Sequence, residues 1–297
     1  MANLRDIRRR IKSIKNTAQI TRAMQLVAAS KMKKAQDQAL AGRAYASELE
    51  ALLRNLKEEA LTSEHPFLKP TDGKRELIIL ITTDKGLCGG LNTNLLRKLY
   101  KEAPADAKFV TIGNKGRNAI SKLKRDLIAD YQVRDPVHFN EVKRVAKFAV
   151  KQFLDGEVDV VKVAFTNFVN TLVNHPTITQ LLPLDPTQVG EKRDYDGMMG
   201  VAEVKGPDAD SYTDYLFEPG RAKVFDQLLP LYLNYLLFQM MMETRAAEHS
   251  SRMVSMKSAT DNAKGIVKEL TLEYNKMRQA AITNELLEIS TAQMALG

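Results

Sequence analysis

The stretch TDKGLCGGLN (83–92) gathers a lysine, the only cysteine of the chain and three glycines into one loop. It follows the apolar run ELIILIT (76–82), which reads as a buried strand. A glycine-rich turn between a strand and a helix N-terminus is where backbone amides collect around a phosphate. The spacing here fits neither G-x-G-x-x-G nor G-x-x-x-x-G-K-[ST]. Gly86, Gly89 and Gly90 therefore read better as residues permitting a tight turn or a close protein contact. Cys88 has no histidine near it in sequence to activate it, so a buried or contact-lining thiol is the default.

The remaining reactive side chains form no constellation. His65, His138, His175 and His249 stand apart, with no second His or Cys at ligand spacing, so no metal site is expected. No pair of carboxylates is placed for acid–base work, and no catalytic residue or cofactor is assigned. The run MMMET (240–244) is compatible with an adaptable groove, but methionine at helical spacing is more often packing. A single cysteine allows no intrachain disulfide and fits a reducing compartment.

The elements that carry these residues are legible from periodicity. Leu4, Ile7, Ile11, Ile14, Ala18, Thr21, Gln25, Ala28, Met32, Ala35, Ala39, Gly42, Ala46, Leu49, Leu53 and Leu56 follow alternating steps of three and four, and thirteen of these sixteen are apolar. With no proline before Pro66, this predicts one helix with a coiled-coil seam, on the order of 80 Å long. The seam from Leu228 through Tyr232, Tyr235, Gln239, Met242, Ala246, His249, Met253, Met256, Thr260, Ala263, Val267, Leu270, Tyr274 and Met277 to Ala281 repeats the design. Pro230 is placed near its start, where a helix tolerates proline, and Gly265 is its one interior glycine. Two such seams in one chain are expected to pair as an intramolecular antiparallel coiled coil. Small residues in the middle of the first seam (Ala28, Ala35, Ala39, Gly42, Ala46) fit either a thin rod made to sit inside something or ordinary drift of composition along a helix.

Between them lies the pattern of an α/β domain. Strands are expected at 76–82, 108–113 and 127–131, with helices near 92–102 and 116–125, Asn92 capping the first. Asn140 would cap a helix at 141–154, and 158–169 with 177–184 reads as a closing hairpin. The fold class is thus α/β plus coiled coil, with a central Rossmann-like domain of mostly parallel sheet and an antiparallel addition. The domain division is 1–65 for the N-terminal coiled-coil helix, 66–210 for the α/β domain with a polar loop from 185 at its end, and 211–297 for a foot segment and the C-terminal helix.

Charge is concentrated at the start. Residues 1–34 hold ten basic side chains against Asp6, a net +9, whereas all 297 residues together reach only +8. The first helix is therefore a positive rod that calls for an acidic partner, whether nucleic acid, lipid headgroups or protein. A basic coiled coil binding nucleic acid is the alternative reading. It lacks the interleaved aromatics such binding favours, since none precedes Tyr45. The basic start has no apolar signal core, and the helical repeat runs straight through it, so it reads as mature protein. No run of about 18 apolar residues is present to span a bilayer. After Glu288 no side chain is charged, which fits either insertion of the helix end into an apolar collar or packing on its own protein.

Three stretches together resemble the gamma subunit of bacterial-type F-type ATP synthases: IKSIKNTAQITRAMQLVAASKMKKAQ (11–36), TDKGLCGGLN (83–92) and EHSSRMVSMKSATDNAKGIVKELTLEYNKMRQAAITNELLEI (248–289). The family usually has a Gly-Ala pair shortly after the Glu-Ile, where this chain has Ser290, Thr291 and Ala292. The cysteine-bearing insertion of chloroplast forms has no counterpart. The resemblance implies a non-catalytic rotor shaft, one copy per complex, inside a ring of alternating α and β subunits. Such a shaft couples proton-driven rotation of a membrane c-ring to ATP synthesis or hydrolysis on that ring. It implies a peripheral place on the cytoplasmic face of the bacterial inner membrane, with contact to lipid only through partners. Carried onto matching positions, it implies that Met24, Lys31, Lys33 and Lys34 approach an acidic loop of β, with the turn Lys85, Gly86 and Cys88 nearby. Arg278, Gln279, Thr283, Glu285 and Glu288 match the upper contact with α and β. Tyr215, Phe217 and Glu218 match a foot segment meeting epsilon and the c-ring.

Overall fold

The computed structural model describes residues 4–69, 71, 73–187, 189 and 215–296, leaving the side chains of 39–44, 46, 47, 295 and 296 aside. Most of the polar loop expected from 185 to 210 lies outside the described residues. Helix α1 runs Leu4–Asn55 and is followed by the short α2, Lys57–Thr62. The α/β part comprises β1 (Glu76–Ile81), α3 (Leu91–Glu102), β2 (Lys108–Ile112), α4 (Asn114–Lys122), β3 (Asp126–Tyr131), α5 (Phe139–Leu154), β4 (Val160–Phe168) and β5 (Asn174–Leu182). Helix α6 occupies Arg221–Leu296. The chain divides into two compact units, one made of 1–28 with 252–297, the other of 29–251.

Within the larger unit the strands lie in the order β3-β2-β1-β4-β5. The first four are parallel and β5 runs antiparallel to β4. Alternation along the strands sorts side chains to the two faces. Ile78 and Leu80 of β1, Phe109 of β2 and Ala164 of β4 pack with Leu95 and Leu99 of α3 and Ile120 of α4. Leu77, Ile79, Ile81, Val110 and Val163 point the other way, toward Val142, Val145 and Ala149 of α5. That second core continues into Leu49, Leu53 and Leu56 and into Phe225, Leu229, Leu233 and Leu237, so α1 and α6 complete the layer with α5. Here the two long helices run antiparallel: Arg221 donates to Glu59 Oε1 at 2.6 Å, and the Tyr45 and Tyr235 ring centroids are 6.2 Å apart.

In the smaller unit the seam predicted from sequence is the buried stripe. Ile7 and Ala28 on α1 and Met256, Thr260 and Ala263 on α6 are buried. The hydroxyls of Thr21 and Thr260 meet at 2.7 Å, which sets the antiparallel register and places Leu4 opposite Met277. From Ile282 to Met294 every side chain of α6 is exposed.

Three local expectations are corrected. Asn92 does not cap α3, whose N-cap is Gly90 with no side-chain bond, and Asn140 does not cap α5, which starts one residue earlier at Phe139. Helix α6 begins at Arg221, so Pro230 lies inside it rather than in its first turn. The missing amide is tolerated because Phe225, Leu229, Tyr232 and Leu233 bury the opposite side while Pro230 faces outward.

Candidate functional site

The glycine loop is closed on itself. Thr83 backbone N–H donates to Asn92 Oδ1 at 3.2 Å, Asn92 Nδ2 donates to Thr83 Oγ1 at 2.8 Å, and Thr83 Oγ1 donates to the Lys85 carbonyl at 2.7 Å. Asn92 is thus a clamp across the loop, which is why it is absent from the cap. Its amide also lies 3.4 Å from Cys88 Sγ, and the cysteine is 2% exposed. Leu87 and Gly89 have φ of 64° and 58°, the left-handed turns that bring the chain round so tightly. Cys88 is therefore an inward-facing thiol inside a rigid turn, while Lys85 and Leu87 lie on its outer surface.

The neighbouring turn after β2 is equally tight. Gly113 has φ of 99°, and a Cβ there would stand 2.3 Å from the Thr82 carbonyl oxygen. Thr82 Oγ1 accepts the Gly116 amide at 2.8 Å, pinning α4 to the end of β1.

The basic group on α1 is not uniform. Lys31 Nζ lies 2.8 Å from Asp135 Oδ2, in the segment between β3 and α5. The same oxygen is 3.2 Å from His249 Nε2 on α6, and His249 is 3% exposed. The His249 imidazole first, and then the Lys31 ammonium, hold the Asp135 carboxyl well below the usual carboxylate range. Gln38 Nε2 donates to the Val137 carbonyl at 2.7 Å, so α1 is tied to this segment twice. Lys33 and Lys34 are exposed, and Met24 is half-buried beside the seam of the smaller unit. Asp135 and His249 carried no sequence signal for this role: they meet Lys31 from positions more than a hundred residues away, and only the presence of a histidine in an apolar seam hinted at a partner.

At the far end of α6, Arg278, Gln279, Thr283, Glu285 and Glu288 are all exposed, with Thr283 Oγ1 donating to the Gln279 carbonyl at 2.9 Å. Ile282, Leu286, Leu287, Ile289 and Met294 are exposed too, Met294 by 80%. The foot segment is a small aromatic knot. The Tyr215 and Phe217 ring centroids are 6.1 Å apart, and the Arg221 guanidinium sits 5.4 Å over Phe217. Phe217 packs on the core, whereas Leu216 is 88% exposed and Glu218 faces outward. Among the described residues no cluster of three metal-ligating side chains occurs.

The geometry displays exposed basic, apolar and aromatic side chains on long helices and the foot segment, among the described residues. Residues 3–296 match the family described as ATP synthase. The ATP synthase gamma chain of Akkermansia muciniphila is 48% identical, the alignment covering 100% of each chain. That of Opitutus terrae is 50% identical over 99% of each. Among solved structures, a rotor chain of the Euglena gracilis mitochondrial ATP synthase shares the fold with a TM-score of 0.63 at 17% identity, covering 94% of this chain and 98% of that one. Family match and full-length identity together lead to one conclusion: this chain belongs to the ATP synthase gamma-chain family.

Proposed function

We propose that the chain is the central rotor shaft of an F-type ATP synthase, without an active site of its own. It couples proton-driven rotation of a c-ring to ATP synthesis or hydrolysis on a surrounding ring of α and β subunits. The observation that carries this reading is the unpartnered end of α6. Ile282, Leu286, Leu287, Ile289 and Met294 are exposed along the last described turns of α6, and beyond Glu288 the sequence bears no charged side chain. These five side chains fall within about 160° of one side of the helix, opposite Glu285 and Glu288, and an exposed apolar face of that width on an unpaired helix calls for a partner of matching chemistry. An apolar bearing formed by α and β supplies it. A shaft of this kind shifts catalysis by offering different contacts to each conformation of β, the condition for moving their populations.

Arg278, Gln279, Thr283, Glu285 and Glu288 would contact α and β just below that bearing. Met24, Lys33 and Lys34, with the Lys85, Gly86 and Cys88 turn, would face the acidic loop of β, while Lys31 belongs to the same stretch but is engaged by Asp135. Tyr215, Phe217 and Glu218 would meet epsilon and the c-ring. One copy serves each complex, held at the cytoplasmic face of the bacterial inner membrane through its partners; among the described residues no helix is long and apolar enough to cross a membrane. The basic charge of α1 is then matched by an acidic protein rather than by nucleic acid. The test is ATP-driven proton pumping in vesicles carrying the other subunits with and without this chain. Pumping that requires the chain supports the proposal, and pumping that proceeds equally well without it refutes it.

A further inference from the structure

A doubly wound sheet holds ligands in the crevice beyond the carboxyl ends of its strands, where the strand order reverses. Here the reversal lies between β1 and β4. The stretch of α6 from Thr244 to Ser250 occupies that place. The Thr166 amide of β4 donates to Thr244 Oγ1 at 3.4 Å, and Ser250 Oγ donates to the Thr171 carbonyl in the turn after β4 at 2.7 Å. Between these two anchors Arg245 reaches across the sheet. Its Nη2 donates to the Val133 carbonyl, just past β3, at 2.7 Å, and lies 3.7 Å from Asp84 Oδ2, just past β1. Its Nη1 donates to Glu248 Oε2 at 2.8 Å. The Arg245 and Glu248 side chains are each only 6% exposed.

A buried cation is an expensive way to pack a helix. Met240, Met241, Met242, Ala246 and Ala247 on the same stretch are apolar and buried, beside the buried polar Thr244, Glu248, His249 and Ser250; an apolar residue at 245 would avoid the cation's own desolvation but take this partner from the buried Glu248 carboxylate. What an apolar residue would not do is fix the helix angle, because apolar contact is non-directional. A planar guanidinium bonded to a carbonyl past one strand and drawn to a carboxylate 3.7 Å away past another favours one rotational setting of α6, since successive residues on a helix are turned by about 100°. We propose that Arg245 is a positioning residue for torque. It keys α6 to the carboxyl ends of the sheet, in the crevice where related folds keep a ligand, so that turning force on the α/β domain passes into the helix without slip. This inference rests on the rotor reading for its purpose, though the key itself is a property of the chain alone.

The test uses the assembled complex with Arg245→Met, Arg245→Lys and Asp84→Asn. Two activities are measured per assembled complex: ATP hydrolysis with the proton gradient dissipated, and protons pumped per ATP against a gradient. Arg245→Met is expected to hydrolyse at the wild-type rate yet pump several-fold less per ATP, with Arg245→Lys partly restoring the ratio. A merely structural role would lower the yield of complex and leave that ratio untouched, so an unchanged ratio overturns the proposal. Should Arg245→Met fail to assemble, Asp84→Asn carries the same two outcomes, because it leaves the cation its bonds to Glu248 and Val133. Hydrogen exchange of the amides from Thr244 to Ser250 reads the key independently of any partner. Loss of the charged hydrogen bonds should speed it at least about tenfold, and unchanged exchange in every variant overturns the key even where the rotor reading holds. A wild-type complex that neither retains this chain nor pumps would instead overturn the rotor reading.

Discussion

The pair Thr21 and Thr260 offers a clean cycle on the register of the seam. Thr260 is 2% exposed; its hydroxyl meets the Thr21 hydroxyl at 2.7 Å and the Met256 carbonyl at 2.8 Å, while Thr21 also reaches the Ala18 carbonyl at 3.1 Å. Two hydroxyl protons thus serve three contacts, and either residue alone keeps one backbone acceptor. Thr260→Val conserves shape and changes helix propensity little, so it removes the cross-helix bond without orphaning Thr21. The cost should be about 1 kcal/mol, the net worth of one such bond, which is roughly a fivefold rise in local opening. Thr21→Val should cost no more, because Thr260 retains Met256. The double variant buries two methyl groups face to face and should return to wild-type protection or exceed it. Hydrogen exchange of the amides of residues 14–28 and 253–267 in the full chain measures all four corners. If the double variant loses protection by the sum of the two singles, the hydroxyls do not meet and the register is wrong.

Other outcomes follow from the larger unit. Asp135→Asn should destabilise by about 1–2 kcal/mol at pH 7, a figure kept low because the carboxylate is partly solvated. Its folded pKa lies below the unfolded value, so the contribution is present above the usual carboxylate range and is lost as pH falls from about 5 downward. The urea-midpoint gap between wild type and variant should therefore narrow on acidification, and a gap independent of pH would count against the ion pair. Gly113→Ala should destabilise the α/β part by several kcal/mol, since the new Cβ would collide with the Thr82 carbonyl at a positive φ; an unchanged urea midpoint contradicts this. Lys33→Glu with Lys34→Glu should leave the midpoint within about 0.5 kcal/mol yet reduce pumping per ATP, whereas adding Lys31→Glu should also lower stability, because it sets a carboxylate against Asp135. Equal stability of the two variants would deny the Lys31 contact.

The parts of the structure that were legible in the sequence are those with a period. Ile7, Ala28, Met256 and Ala263 declared themselves by their spacing, and Ile79 and Val110 by lying in apolar runs of strand length. The hairpin of β4 and β5 was marked by two β-rich runs, though β5 starts at Asn174, earlier than its apolar residues indicate. What spacing conceals is chemistry that joins distant segments. Asn92 looks like a helix cap, because local rules favour Asn beside a helix start, yet its amide is spent on Thr83. Arg245 and His249 sit on a long, largely apolar seam, and nothing nearby in sequence names Asp84 or Asp135 as their partners. The contacts expected at Arg278, Gln279, Thr283, Glu285 and Glu288 on α6 come from resemblance alone, since an exposed helix face carries no local mark of what will cover it.

The most direct measurement is made on the intact assembly. With this chain tagged in cells that express its neighbours, purification under mild conditions should recover α and β subunits in roughly threefold excess over it, as a closed ring around one shaft requires. Trimming the chain after Glu288 should weaken that association by removing the apolar end. Recovery of the chain alone, or with α and β in equal number to itself, would contradict the account.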